Sequence, residues 1–440
     1  MKIKIINGYI LDPSQKIEGI GEILIEDGII KELNINRPKA GSRSRGIKDT
    51  TNKKDLSDTK IINAEGKYVV PGLIDMHVHL REPGFEYKES IKTGTMAAIK
   101  GGFTTICCMP NTLPVNDHAS VTEFIIRKAT QEGFCKVLPI GAITKGQKGE
   151  ELAEIGTMKN EGCVAFSDDG NPVMNSLIMR RALEYSKAFN VPIISHCEDI
   201  TLSEGGLVNE GLLSLTLGLK GIPNEAEEIM VYRDLLLAQL TGGRLHIAHV
   251  STEGSTKLIR DAKAKGINVT AETCPHYFSL TEDAIIGYNT NAKVNPPLRT
   301  KKDIEAIKEA LKDGTIDVIA TDHAPHHNDE KMMEFEKAPF GISGLETAFS
   351  LSLNLVREGV LSLTQLIEKI TINPAKILNI NRGTLKIGSQ ADILIFDMEK
   401  EYHVNAKEFI SKGKNTPFDG WVLKGAPVMT IYKGIIKELV

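Results

Sequence analysis

The 440-residue sequence carries no surplus of charge of one sign: 53 Lys and Arg stand against 57 Asp and Glu, a net charge of −4. Without a basic excess, neither nucleic acid nor an anionic membrane is indicated as a partner. No run of about 18 apolar residues is present to form a helical membrane span. The opening stretch, MKIKIINGYILDPSQ, lacks the apolar h-region and cleavage site of a signal peptide. The six cysteines (Cys107, Cys108, Cys135, Cys163, Cys197, Cys274) form no Cys-x-x-Cys pair and no regular spacing. They sit in apolar, strand-like runs, the pattern of buried free thiols in a cytoplasmic protein. A content of 41% hydrophobic and 25% charged residues is that of an ordinary soluble globular chain.

What the sequence does have is a repeating unit. From residue 69 to about 325, a β-rich run, a polar loop and a helix-like segment recur. The runs are Tyr68–His79, Thr104–Pro110, Lys136–Thr144, Val164–Gly170, Pro192–Glu198, Arg244–Ser251, Asn268–Pro275 and Asp317–Pro325. Between them, stretches such as Ser120–Glu132, Leu177–Phe189, Glu225–Leu240, Ser255–Lys265 and Lys302–Lys312 have apolar residues at helical spacing. Glycines at 101–102, 133, 162, 243, 266 and 314 punctuate the helix-to-strand returns. Eight such units imply an α/β fold, a (β/α)₈ TIM-like barrel, over residues 69–378. The flanks, 1–68 and 379–440, are short strands and turns that pair into a small β-sandwich-like domain built from both chain ends. Within them Arg37–Thr59 is polar and charged, with almost no large apolar residue, and reads as a mobile loop.

Barrel active sites lie at the C-terminal strand ends, and there the runs deliver ligand-type residues. The first ends in His77-Val-His79, whose side chains share one strand face and can share one metal ion. Arg81 follows, a cation suited to an anionic substrate. Later ends supply Asn111, Asp168-Asp169, His196, His249 and Asp322. Only one of the adjacent Asp168 and Asp169 can face the barrel axis. His246 and His323 have the opposite parity to their neighbours and read as packing; His276 could line the site; His118, His327 and His403 read as solvated. Four histidines and two or three aspartates on apolar strands form a metal site, with imidazole and carboxylate suiting Zn²⁺ and Co²⁺ or Mn²⁺ able to substitute. Bound metal would lower the pKa of water to about 7 and polarise a carbonyl, and Asp322 could move the proton to a departing nitrogen. The chemistry is metal-assisted hydrolysis of an amide-like bond.

The motifs HVHLREPG (77–84), MPNT-x-P-V (109–115), FSDDG (166–170), SHCED (195–199), AHVS (248–251), NPPLR (295–299), TDHAPH (321–326), APFGISGLET (338–347) and SKGKNTPF-x-G (411–420) resemble those of the amidohydrolase superfamily. Within it they are similar to dihydroorotases of the long-chain bacterial and archaeal type, over nearly the whole chain. The resemblance implies that His77 and His79 hold one metal, His196 and His249 a second, with Asp169 bridging and Asp322 both ligand and catalytic acid/base. It leaves open whether one or two zinc ions are held. It implies that Arg81, Asn111 and His326 hold the substrate carboxylate beside His79, and that Asn295 and the Phe340-Gly341 backbone meet the ureide edge. The implied reaction is the reversible cyclisation of N-carbamoyl-L-aspartate to (S)-dihydroorotate and water, the third step of pyrimidine synthesis. A homodimer and an association with aspartate transcarbamoylase are further expectations. Two other readings are weighed. Allantoinase-like or hydantoinase-like ureide hydrolases would carry a bridging lysine on strand 4, where this chain has Asp169. A non-catalytic scaffold would have lost ligands that this chain keeps. The charged stretch Pro325–Pro339 reads as a loop that closes over substrate, against the plainer reading of a solvated surface loop.

Overall fold

A computed structural model describes residues 2–35 and 59–437. The expected loop 37–59 lies outside the described residues except for Thr59, which opens a strand. Among the described residues five strands precede the barrel: β1 (Lys2–Asp12), β2 (Ile17–Glu26), β3 (Ile29–Ile35), β4 (Thr59–Asn63) and β5 (Tyr68–Pro71). The barrel strands follow as β6 (Leu73–Val78), β7 (Phe103–Cys108), β8 (Lys136–Gly141), β9 (Ala165–Ser167) and β10 (Ile193–Ser195). A short ladder of β11 (Val208–Asn209) and β12 (Gly221–Ile222) interrupts the series, which resumes with β13 (Leu245–Ile247), β14 (Val269–Thr273) and β15 (Val318–Ile319). The chain ends in β16 (Ile393–His403), β17 (Val422–Tyr432) and β18 (Ile435–Lys437).

The eight barrel strands run in chain order from β6 to β15. A bridge between Val78 and His323, with His79 N–H donating to His323 O at 2.8 Å, brings the last strand back to the first. Every residue of β6 and β7 is buried, as a parallel sheet covered on both faces requires. Inside the barrel Met76, Cys107, Ile140, Ala165, Ile194 and Val318 pack together with Ile377 and Leu378 of the helix Ile372–Leu378. Outside it, the helices bury their apolar stripes on the strands, as Ile178, Met179, Ala182 and Leu183 do. Gly162 and Gly314 close their helices at left-handed φ, +119° and +84°. Gly133 does not; its φ is −73°, and it is suited to its place because a Cβ there would lie 2.4 Å from Ala129 O.

The expected strand Tyr68–His79 is two strands. Tyr68–Pro71 pairs with β1 and β16 in the flanking sheet, and the chain enters the barrel only at Leu73. The flanks form one eight-stranded sheet, with β5 joining the N-terminal strands to the C-terminal ones. Ile29, at the start of edge strand β3, is bridged to Gln390, just before β16, and the sheet has a core of Ile3, Ile5, Ile23, Ile25, Ile393 and Ile431. All six cysteines are free and buried. Among the described residues no helix is long and apolar enough to cross a membrane.

Candidate metal centre and substrate cleft

The barrel strands are shorter than their apolar runs, so the ligand-type residues other than His77, which lies within β6, sit just past the strand ends. Three of these positions, Arg81 (φ +61°), His249 (φ +34°) and Asp322 (φ +46°), have left-handed backbone that L residues seldom adopt. Such strain persists where surrounding structure fixes it, commonly at functional sites. It turns the chain out of the ladder, bringing His249 and Asp322 toward one point and Arg81 toward His326.

There Asp169 stands at the centre. Its carboxylate lies 3.4 Å from His77 Nε2, 3.3 Å from His79 Nε2, 3.3 Å from His249 Nε2 and 3.7 Å from His196 Nδ1. His196 Nδ1 and His249 Nε2 are 2.9 Å apart. Asp322 Oδ1 lies 3.1 Å from His79 Nε2 and 3.4 Å from His77 Nε2. Two trios, His77–His79–Asp169 and Asp169–His196–His249, each bring their ligand atoms within 4.8 Å of one another and share the aspartate.

A further set of residues orients these rings. Glu272 Oε1 accepts from His77 Nδ1 at 2.7 Å, Asn111 Oδ1 from His79 Nδ1 at 2.8 Å and Glu198 Oε2 from His196 Nε2 at 2.8 Å. Each bond commits one ring nitrogen and leaves the other to face the centre. His77 Nε2 is buried without a hydrogen-bond partner. An orphaned imidazole nitrogen facing two carboxylates, within a donor set of four nitrogens and two carboxylates, fits a metal ion. Burial opposes charge on His77, but Asp169 and Asp322 outweigh it and hold its pKa well above the usual imidazole value. His196 is likewise held up, to about 10, where Asp169 and Glu198 overcome burial. Asp322 is held at about 2, with His77 and His79 overcoming burial, so it is ionised and available as a ligand.

Asp169 is the member of its pair that faces the centre. Asp168 turns away, its Oδ1 accepting from Ile143 N–H at 2.8 Å and Thr144 N–H at 3.1 Å. Burial raises Asp168 to about 6. His323 is bound in packing, its Nδ1 accepting from Gly344 N–H at 3.1 Å. His246 sits on Thr270 Oγ1 at 2.7 Å and also lies 3.2 Å from Glu272, so it shares the carboxylate that orients His77. His276 is buried edge-on to Tyr277, with ring centroids 4.2 Å apart. His327 and His403 are exposed, and His118 pairs with Asp117.

A cleft of about 320 Å³ opens over the centre, lined by His79, Arg81, Asn111, Asp169, His196, His249, Asn295, Asp322, His326, Phe340 and Gly341 among others. Every candidate substrate residue therefore reaches one cavity. Arg81 Nε donates to Pro325 O at 3.2 Å, and its Nη2 lies 3.3 Å from His326 Nε2. His326 Nε2 donates to Phe340 O at 2.8 Å, while Lys88 Nζ approaches Nδ1 at 3.3 Å. Burial, with Arg81 and Lys88 beside it, pushes the His326 pKa far down, so the ring is neutral. Asn295 Nδ2 donates to Glu198 at 2.9 Å. The 325–339 segment is folded down at the cleft mouth: Phe335 and Ala338 are buried, and Phe335 packs with Tyr277 and Val294.

Sequence reasoning missed Glu272, Glu198, Asp75, Lys293 and Lys331. Asp75 accepts from the His77 and Thr321 N–H groups, both at 3.1 Å, tying the first strand to the last. Glu272 and Asp75 did leave a signal, a carboxylate inside an otherwise apolar strand, and such a group is buried only with partners.

Comparison with solved structures assigns the class. L-Hydantoinase (dihydropyrimidinase) from Arthrobacter aurescens superposes with a TM-score of 0.85 at 27% identity, covering 100% of this chain and 97% of that one. Dihydropyrimidinase from Brevibacillus agri shares the fold with a TM-score of 0.83 at 23% identity, covering 99% and 95% of the two chains. With the ring of histidines and carboxylates at the barrel mouth, this defines a metal-dependent cyclic amide hydrolase of the amidohydrolase type. A Dihydro-orotase-like family profile matches residues 66–255. The chain is 56% identical over 434 residues to dihydroorotase of Geobacter metallireducens, covering 99% of both. It is 55% identical over 436 residues to that of Acetivibrio thermocellus, covering 98% of both. The chain belongs to the dihydroorotase family.

Proposed function

We propose that the chain is an active dihydroorotase, interconverting N-carbamoyl-L-aspartate and (S)-dihydroorotate in pyrimidine synthesis. The observation that carries this reading is the juxtaposition of Asp169, Asp322, His79, His196 and His249 with Arg81, Asn111 and neutral His326 in one cleft, with His77 held against the same two aspartates. His77 and His79 would hold one zinc ion and His196 and His249 another, with Asp169 common to both and Asp322 a further ligand. Bound there, the ions would supply acidified water and a polarised carbonyl. Arg81 presents a planar fork to the substrate carboxylate, and Asn111, already oriented by His79, adds a directional amide. His326, neutral and held by Phe340 O and Lys88, lines the cleft beside Arg81 without adding charge. Asn295 and the Phe340–Gly341 backbone face the ureide edge. Asp322 takes the proton from the attacking water and returns it to the ring nitrogen as the C–N bond breaks. In the reverse direction it takes the proton from the carbamoyl nitrogen. The Arg81 cation in the cleft suits a carboxylate-bearing ring, which separates this substrate from a neutral hydantoin.

The test is turnover of dihydroorotate by zinc-loaded protein with metal content measured in parallel. Two zinc ions per chain and turnover of dihydroorotate are expected; a zinc-loaded protein inert to dihydroorotate would refute the reading. The family resemblance further suggests a cytoplasmic homodimer, read as a species of twice the chain mass in sedimentation. Co-elution with purified aspartate transcarbamoylase would support a complex, and separate peaks would count against it.

A further inference from the structure

We infer that Lys293 and Lys331 are positioning residues for substrate recognition, two buried ammonium groups that fix the Phe335–Gly341 backbone against the cleft. The inference rests on the dihydroorotase reading for its substrate and on the geometry for its mechanism.

Lys293 is 2% exposed. Its Nζ donates to Phe335 O at 2.6 Å, Ala338 O at 2.7 Å and Glu336 O at 3.2 Å, one acceptor for each of its three N–H bonds. The same ammonium stands 4.7 Å from the centroid of the Phe340 ring and 5.2 Å from that of Phe335, within cation–π range. Its own carbonyl accepts from Gly341 N–H at 2.9 Å. Lys331, 5% exposed, donates to Pro339 O at 2.8 Å and Gly341 O at 3.3 Å. All five ammonium contacts are backbone carbonyls of one seven-residue segment.

Burying two cations against carbonyls is unfavourable for the fold alone. Burial lowers Lys293 to about 8, and burial together with Lys293 lowers Lys331 to about 7. An apolar side chain of similar length would avoid that desolvation penalty but leave the carbonyls without these donors. What the ammoniums add is direction: they draw the carbonyls of residues 335, 336, 338, 339 and 341 toward themselves, and Phe340 and Gly341 are left lining the cleft. A third pin acts with them. Asn415 Nδ2 donates to Gly341 O at 2.9 Å and Ala324 O at 3.1 Å, and its Oδ1 accepts from His326 N–H at 3.0 Å. The APFG and KGKN motifs, 338–341 and 412–415, thus meet in one hydrogen-bond network that holds both His326 and the Phe340–Gly341 peptide.

The test uses the zinc-loaded full chain and its Lys293→Met, Lys331→Met and Lys331→Gln variants. The methionines keep an unbranched apolar stem one atom shorter and remove the donors, and the shorter glutamine keeps two N–H donors. The expected result is a rise in KM of about tenfold or more for both dihydroorotate and N-carbamoyl-aspartate, with kcat within about threefold and zinc content unchanged. Lys331→Gln should fall between wild type and Lys331→Met. Cleavage by a glutamate-specific protease at Glu334 and Glu336 should be faster in the methionine variants than in wild type. Unchanged KM with unchanged cleavage overturns the inference, as does a loss confined to kcat or accompanied by loss of zinc. If a methionine variant does not fold, the Lys331→Gln values decide by the same criteria. If wild type does not turn over dihydroorotate, the functional reading fails, while the cleavage comparison still decides whether the lysines hold the segment.

Discussion

Replacing Glu272 by Gln should loosen the metal centre without dismantling it. Glu272 is fully buried on β14, accepts from His77 Nδ1 at 2.7 Å and lies 3.2 Å from His246 Nε2. Burial alone would raise its pKa, but the imidazoles of His246 and His77 beside it outweigh that and hold it at about 2, so it is an anion. Glutamine is isosteric: its Oε1 can still accept from His77 Nδ1, and its amide can face His246 Nε2. The substitution therefore removes the charge and keeps the contact. A hydrogen bond to a charged group contributes about 1.5–3 kcal/mol against about 0.5–1.5 for a neutral one, a difference of roughly 1–2 kcal/mol. At 1.4 kcal/mol per decade that is roughly a 5- to 30-fold loss of zinc affinity, consistent with the 10- to 100-fold typical of such supporting groups. Chelator competition on apoprotein would measure it, with the thermal midpoint of the apo form as a control for folding. Zinc affinity within about twofold of wild type would refute the idea that Glu272 tunes His77. A much larger loss, together with an unfolded apo form, would show Glu272 to be a fold determinant instead.

Other outcomes follow from the same geometry. Arg81→Lys keeps charge but loses the planar fork, so KM for both substrates should rise by roughly 10- to 100-fold with kcat less affected; equal KM values would refute the carboxylate assignment. Gly341→Ala places a methyl 2.6 Å from Ala324 O and 3.1 Å from His326 at φ +142°, so it should destabilise the protein by about 1–3 kcal/mol and raise KM; an unchanged thermal midpoint and KM would contradict the account. Burial raises Asp75 from 3.8 to about 6, so the folded state binds more protons than the unfolded between those values. Its contribution is fully present below about 4 and declines as pH rises to about 6, so the stability of wild type relative to Asp75→Asn should fall across that window. Parallel curves for the two proteins would show that Asp75 does not titrate there.

The barrel was legible because each strand is a short apolar run closed by a polar, glycine-rich return, and because a parallel sheet needs both faces apolar. The candidate ligands were legible because His77, His79, His196, His249 and Asp322 are polar interruptions at the ends of those runs. The division at Gly72 was not, since Tyr68 to Val78 is one apolar run and its split depends on pairing with β1 and β16, the latter more than 300 residues away in sequence. Glu272 stood out as acidic within a strand, but its partner His77 is 195 residues distant, and nothing local names it. Lys293 and Lys331 resemble the surface lysines around them; only the fold of the 325–341 segment shows their ammoniums to be buried.

The most direct measurement of the central claim is the ultraviolet absorbance of the ureide, followed with dihydroorotate and allantoin offered in parallel to zinc-loaded wild type and Asp322→Asn. Loss of dihydroorotate in wild type, none of allantoin, and a rate lowered by about 10²- to 10⁴-fold in the variant are predicted, as for removal of a general acid/base. Turnover of allantoin in preference to dihydroorotate, or a variant as fast as wild type with zinc retained, would contradict it.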